Sequence, residues 1–324
     1  MTMRTFLSGL LAVLWLAGAG VAGATEPAKV IVGVYVNQIL DLSFTERQYV
    51  IDFWVWFRWE PQGAMADFKP LESFELINGR IETKTSIVEK KIGNVNYATA
   101  RVTASISQPW ALDAFPLDEH RLQIHLEDSG RVASEIMFEP DRADSGLGDE
   151  IRLSGWVASG FDPQVRTKVY NSNFGDISLP THDTSEYSRF TFSMDLRREN
   201  NDPAIKLLGT MFLAPLVAFT AFLIKPTDVN TRFGVGVGAL FAVATSAVIV
   251  ASAVPDSSAL TMADQLHVTA MVFIFASLVQ SAICMEWVQT GHHARSKRAD
   301  RWSLFIFPLL FLLICVGLMA RALR

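Results

Sequence analysis

Arg232 to Pro255 reads RFGVGVGALFAVATSAVIVASAVP, and the reading of this run decides the fold. It is long enough to cross a bilayer, which takes roughly 20 apolar residues, yet small and hydroxyl residues recur among its apolar ones. At steps of three and four, Gly234, Gly238, Phe241, Thr245, Val248 and Ser252 fall on one helical stripe. Small residues leave room beside a helix, hydroxyls replace part of an ion's hydration, and a ring of Phe241 or Val248 can shut a narrow path by excluding water. A helix lining a water-filled path would use that stripe. The same residue types also serve close packing between membrane helices, and on this run alone both readings stand.

Working outward, apolar segments occur at Ile205–Ile224, Phe233–Val254, Leu266–Val288 and Trp302–Ala320, so we expect four membrane helices, at about 205–224, 233–254, 266–288 and 302–320. Residues 25–200 hold no run of that length. At the start, Arg4, the apolar Phe6 to Ala17 and Ala22-Gly23-Ala24 have the charged, apolar and small-residue parts of a secretory signal over residues 1–24. The expected domains are therefore this leader, an exported domain over 25–200 and a transmembrane domain over 201–324.

Loop charge gives the orientation. Lys225 and Arg232 flank the first connection between membrane helices, and Arg295, Lys297, Arg298 and Arg301 the third, whereas Pro255 to Asp264 holds two Asp and no Lys or Arg. Basic loops stay in the cytoplasm, which puts the 25–200 domain outside. That domain has 27 Asp plus Glu against 18 Lys plus Arg, an excess of 9 negative charges in a chain whose net charge is -5. Such a field repels nucleic acid and concentrates cations. Both cysteines, Cys284 and Cys315, fall in the membrane segments, so the exported domain must be held by its core rather than by disulfides.

Lys29–Val36 is β-rich and Gln48–Trp59, QYVIDFWVWFRW, reads as a long aromatic strand after a turn at Leu42–Arg47. Its side chains alternate, with Asp52, Trp54, Trp56 and Arg58 on one face and Phe53, Val55, Phe57 and Trp59 on the other. One face must be core. Shorter strands are expected at Phe74–Ile77, Thr85–Lys90, Arg101–Ile106, Arg121–Leu126, Glu135–Phe138, Ile151–Ala158, Val165–Tyr170 and Ser188–Asp195. Many short strands without helical periodicity indicate a β-sandwich, and the expected fold class is a β + α membrane protein, a β-sandwich followed by a four-helix transmembrane bundle.

Catalytic chemistry leaves no signature. The six histidines are too scattered for a metal site, with no cysteine outside the membrane segments to assist them. No nucleophile elbow and no phosphate loop before a soluble helix are present. We expect no enzyme, no cofactor and no metal.

From Trp110 the sequence reads WALDAFPLDEHRLQIHL, and here it resembles the pentameric ligand-gated ion channels, the Cys-loop receptor family, in its prokaryotic branch. The family's aromatic-Pro-x-Asp turn is matched by Phe115-Pro116-Leu117-Asp118, with Gln108 and Leu122 where animal receptors place the bracketing cysteines. Val32 to Trp59 resembles the first two strands, Leu153-Ser154-Gly155-Trp156 a late-strand motif, and Arg197-Arg198 the basic residue ahead of the first membrane helix.

The resemblance implies a homopentamer in a bacterial cytoplasmic membrane, with its sandwich in the periplasm and the loop between the third and fourth helices in the cytoplasm. It implies passive flow of inorganic ions through a pore lined by the second helix, at Gly234, Gly238, Phe241, Thr245, Val248 and Ser252. Phe241, Val248 and Ile249 would form the gate, with Asp228, Arg232 and Asp256 at the mouths. Asp228, Asp256 and the acidic domain favour cations, and Arg232 opposes them if it faces inward. Coupling is assigned to Glu46, Phe115, Pro116, Asp118, Pro255 and either Arg197 or Arg198. The ligand would sit between subunits under a capping loop at Tyr170–Tyr187, among Phe74, Glu127, Asp128, Phe174 and Tyr187 of one subunit and Trp54, Trp56 and Arg58 of its neighbour. A small amine or a proton, with His125 or His182 as acceptor, is the implied agonist. A rival reading keeps the architecture without conduction, as a periplasmic ligand-binding membrane receptor.

Overall fold

A computed structural model describes residues 26–149, 151, 153–175, 184–200, 202–254 and 260–323. The expected leader, His182, Pro255 and Asp256 lie outside the described residues.

The N-terminal part is a β-sandwich. One sheet runs β4 (Gly79–Ile92), β5 (Val95–Ser107), β2 (Gln48–Trp59), β1 (Ala28–Ser43), β7 (Ile136–Pro140), with the short β8 (Gly146–Leu147) also on β1. The other runs β3 (Phe74–Leu76), β6 (Glu119–Asp128), β10 (Ser185–Arg198), β9 (Trp156–Tyr170). On β2 the inward face is Tyr49, Ile51, Phe53, Val55, Phe57 and Trp59, all buried. Opposite them β6 and β10 contribute Leu122, Ile124, Leu126, Phe190, Phe192 and Met194 to one core. Alternation therefore assigns the faces of β2 as its sequence indicates.

The second sheet departs from expectation. Of the two expected strands, Val165–Tyr170 and only the end of Ile151–Ala158, Trp156–Ala158, belong to one strand, β9, which pairs with β10 along its length, while Leu153 meets Trp156 in an isolated bridge ahead of it. Gly160 and Pro163 look like a break in the sequence, yet each has a place. Gly160 sits at a bulge opposite Asp195 with φ +62°, and a Cβ there would lie 2.6 Å from Asp195 Oδ2. Pro163 lies on the outermost strand of its sheet, where a missing N–H costs no interior ladder bond.

After β10 come four helices long and apolar enough to cross a membrane: α1 (Asp202–Phe219, extended by a 3-10 turn to Leu223), α2 (Val229–Ser252), α3 (Met262–Gln289) and α4 (His293–Ala322). Asp228 caps α2 by accepting from Thr231 N at 3.4 Å. Thr261 and Asp264 form a reciprocal capping box at the start of α3. The α4 boundary differs from the expected 302. Arg295 to Arg301 is not a connection but the first turns of the helix, because apolar composition marks only the part of a helix that meets lipid.

α2 packs against α1 and α3 through a buried face that includes Gly236, Ala239, Val243 and Val250. Gly236 is there for contact, since a Cβ on it would fall 2.4 Å from Leu278 Cδ2.

Candidate functional site

Three groups of the singled-out residues lie in distinct places, and each is built by a different element.

The first is the outward face of α2. Gly234, Gly238, Phe241, Thr245, Val248 and Ser252 are all exposed, with Phe241 and Val248 each at 70% and Ile249 beside them at 58%. A Cβ added to Gly234 or Gly238 would meet nothing within 4 Å, unlike one on Gly236. Within this chain, then, the two stripe glycines do not serve helix packing. Asp228 is exposed at the end of the stripe. Arg232 is not, and this corrects its expected place at the pore mouth. It is fully buried on the opposite face of α2, its guanidinium forked onto Asp300 of α4 and donating from Nη1 to Ile224 O at 3.0 Å. A basic side chain among apolar helices needs a matched carboxylate more than water can reach it, and α4 supplies one.

The second group is the junction of sandwich and helices. The loop before β6 turns through a cis Phe115-Pro116 bond, and Phe115 and Leu112 bury themselves in the core of the helical bundle beside Met211 and Leu266. Asp113 O and Phe115 O accept from Met262 N (2.9 Å) and Ala263 N (3.3 Å), so this loop caps the first turn of α3. Asp118, buried, accepts from Arg198 Nε at 3.1 Å and Nη2 at 2.9 Å, and shares its other oxygen with His120 Nε2 at 2.5 Å. Of the two candidate arginines it is Arg198 that joins the junction, lying over the rings of Trp156 (4.3 Å) and Phe115 (5.5 Å), while Arg197 is exposed. Glu46 is also exposed, its carboxylate taking Gln48 Nε2 at 3.4 Å rather than joining Asp118. Sequence reasoning missed His120 and the rings around it. Phe44, Trp110 and Trp156 lie 5.0–5.5 Å from His120 by ring centroids, and the signal was the alternation of β6, which sends His120 inward with Leu122 and Ile124.

The third group is the outer end of β6, β9 and β10. Tyr170, Phe174 and Tyr187 form a triad of edge-to-face rings with centroids 5.5, 5.7 and 6.1 Å apart. Below them Glu127, buried, accepts from Tyr170 Oη at 3.1 Å and from Arg189 Nε at 2.6 Å, and Arg189 Nη2 reaches Tyr170 Oη at 2.7 Å. Burial and the neighbouring Glu127 carboxylate both push the Tyr170 hydroxyl pKa up, so it stays a donor. Arg189 was missed, although it alternates with Tyr187 and Thr191 on β10 and so shares their face.

Two expected members of this site are placed elsewhere. Phe74 is in the sandwich core against Phe57, at 5.6 Å between centroids, because β3 turns it inward. Asp128 is committed to a turn, bonded to Ser73 Oγ and to Gly130 N. On the neighbouring-face side, Trp56 Nε1 donates to Asp141 at 2.9 Å, Arg58 pairs with the same carboxylate, and Trp54 is half-buried on the same face. Trp56 and Arg58 are thus held in a polar cluster of their own sheet.

His125 lies between the second and third groups, its Nδ1 3.1 Å from Thr191 Oγ1. Burial, with Arg189 and Lys168 nearby, lowers its pKa, so the folded chain keeps the imidazole neutral where the unfolded chain, near 6.5, already takes a proton. That contribution to stability is present above about pH 6.5 and is lost as pH falls toward the folded value. His125→Gln is expected to flatten the fall in melting temperature between about pH 7 and 5; a slope identical to wild type would mean that other groups carry it.

No family model matches the chain. At low identity it is similar to receptor subunits. It is 19% identical to glycine receptor subunit beta from rat and to the same subunit from human, over 297 aligned residues covering 84% of this chain and 58% of the relative. Against acetylcholine receptor subunit alpha-type acr-15 of Caenorhabditis elegans it is 19% identical over 309 residues, covering 87% of this chain and 60% of the relative. The chain therefore spans less than two thirds of these curated relatives. With four helices long and apolar enough to cross a membrane, the similarity supports a multi-pass membrane protein.

Proposed function

We propose that the chain is the subunit of a homopentameric, cation-selective ligand-gated ion channel, with α2 of each subunit lining the pore. The observation that carries this reading is the outward stripe of α2, whose two glycines, two hydroxyl residues and two apolar residues are all exposed, with open space where a Cβ on either glycine would stand. From Gly234 to Ser252 the stripe rises about 27 Å, close to the roughly 30 Å of a bilayer's hydrocarbon core. Phe241 and Val248 lie two turns apart on it, and five copies of each would make two apolar constrictions that close by dewetting.

Selectivity follows from what the stripe carries. With Arg232 neutralised by Asp300 on the far side of α2, the exposed Asp228 is left as the acidic group at that end, beside Lys225 on the connecting turn. Together with the acidic sandwich this favours cations. The ligand we place against Tyr170, Phe174 and Tyr187 is a small amine held by ring faces. Glu127, already matched by Arg189, orients Tyr170 rather than supplying a free charge. By loop charge, the α1–α2 and α3–α4 ends are cytoplasmic and the sandwich periplasmic.

The test is bilayer current from purified protein under a salt gradient, wild type against Phe241→Ala. The expected outcome is a resting current in the mutant alone, reversing near the cation equilibrium potential. A correctly assembled mutant that is silent at every pH would overturn the channel reading in favour of a non-conducting receptor.

A further inference from the structure

The groove between α1 and α2 holds a charge that neither the apolar constrictions nor the junction uses. Lys206 is the one charged residue of the membrane-length span Ala204–Leu223. It is exposed, and it forms no ion pair or hydrogen bond among the described residues. An ionisable side chain inside an apolar span is costly unless it is paired or reaches water. Asp202, one turn earlier on α1 and also exposed, makes no ion pair with it.

The cavity that Lys206 lines shows where its ammonium meets water. That cavity has a volume of about 440 Å³, and its α2 wall includes Phe241 and Thr245 of the outward stripe, with Ile249 beside them. Lys206 therefore opens onto the same space as the stripe. It does so in the half of the bundle nearer the sandwich, where α1 begins and α2 ends. At the opposite end Asp228 is exposed, while Arg232 is withdrawn behind α2 onto Asp300. The stripe thus has a carboxylate at one end and an ammonium near the other.

We infer that Lys206 sets the direction in which the pore passes cations more readily, by depleting cations at the sandwich end while Asp228 enriches them at the other. This rests on the reading of α2 as the pore wall. Fixed charge at a mouth sets the local concentration of the ions that enter there. Cation current away from the cytoplasm therefore exceeds current toward it in symmetric salt. Five such lysines at roughly 10 Å from the axis, in water at about 0.1 M salt, lower the local cation concentration about threefold.

The experiment records current against voltage in symmetric salt from excised membrane patches, where orientation is fixed, on the full chain carrying Phe241→Ala to hold the path open. Outward current should exceed inward current. Adding Lys206→Gln should lower that ratio about threefold at about 0.1 M salt and hardly at all at about 1 M, where charges are screened within about 3 Å. Lys206→Arg keeps the charge and should keep the ratio. Arg321→Gln removes a charge from the same end of the bundle, on α4 rather than in the groove, and should leave the ratio unchanged. An unchanged ratio in Lys206→Gln with current intact overturns this assignment alone. Silence of Phe241→Ala itself overturns the pore reading and this assignment with it. A Lys206→Gln chain that no longer migrates as the wild-type oligomer means that a second copy's carboxylate neutralises the lysine, and the assignment falls.

Discussion

Arg232→Ala is expected to destabilise the helical bundle by about 3–5 kcal/mol, the cost of leaving one member of a buried ion pair without the other. In the folded chain Arg232 is fully buried, and both terminal nitrogens of its guanidinium reach Asp300 while Nη1 also holds Ile224 O at the end of α1. One side chain thus joins α2 to the α1 corner and to α4. Truncating it strands the Asp300 carboxylate among apolar helices and frees a carbonyl as well. The pair itself need not be stabilising relative to an apolar replacement of similar volume, and this separates two explanations. Arg232→Leu/Asp300→Leu should recover most of the loss seen in Arg232→Ala, as read from the midpoint of thermal unfolding in detergent. A single mutant that loses less than about 1 kcal/mol, as exposed pairs do, would show that water reaches the pair and that Arg232 is not sequestered from the face of α2 as described.

The same residue shows where the sequence stopped being readable. Spacing along α2 placed Gly234, Phe241 and Val248 on one face correctly, because a helix of 3.6 residues per turn fixes relative direction. It did not say which neighbour each face meets, and the charge on Arg232 suggested water where the fold supplies Asp300, 68 residues later. Partners so distant are set by tertiary packing, to which periodicity is blind. The sandwich follows the same division. β2 could be read face by face because alternation is a local property, whereas β9 was split at Gly160 and Pro163. Only its position at the edge of a sheet, and the bulge opposite Asp195, make those residues compatible with a strand. At the candidate ligand site the aromatic residues Phe174 and Tyr187 were recognisable by type. Arg189, which takes up the charge of Glu127, was legible only once β10 was laid beside β6.

Asp118→Ala is expected to raise amide exchange at Met262 and Ala263 by tenfold or more, well beyond the end of the loop before β6 where the mutation lies. The chain of contacts is short. Asp118 accepts two hydrogen bonds from Arg198, the last residue of β10, and the loop that carries Asp118 gives two carbonyls to the first turn of α3. The ion pair therefore ties the strand that leads into α1 to the loop that caps α3, and removing it leaves Arg198 uncompensated with only 15% of its side chain exposed. A loss of about 3–5 kcal/mol is the scale for such a pair, while Arg197→Gln, at an exposed neighbour, should stay within about 0.5 kcal/mol. Acid should not mimic the mutation over most of its range. Burial pushes the Asp118 carboxyl up, but the His120 hydrogen bond and the Arg198 charge outweigh it and hold the pKa below the usual value. Its stabilising contribution is therefore complete above about pH 3.9 and is lost only as pH falls through the lower folded value. Exchange at Met262 and Ala263 in wild type should accordingly be insensitive to Asp118 titration between about pH 5 and 7 once corrected for the intrinsic rate. If Asp118→Ala lowers the melting temperature of the sandwich but those two amides exchange as in wild type, the pair is a local strut of the sandwich. A rise confined to them and the turn after them would make it the element through which a change in β6 and β10 reaches the helices.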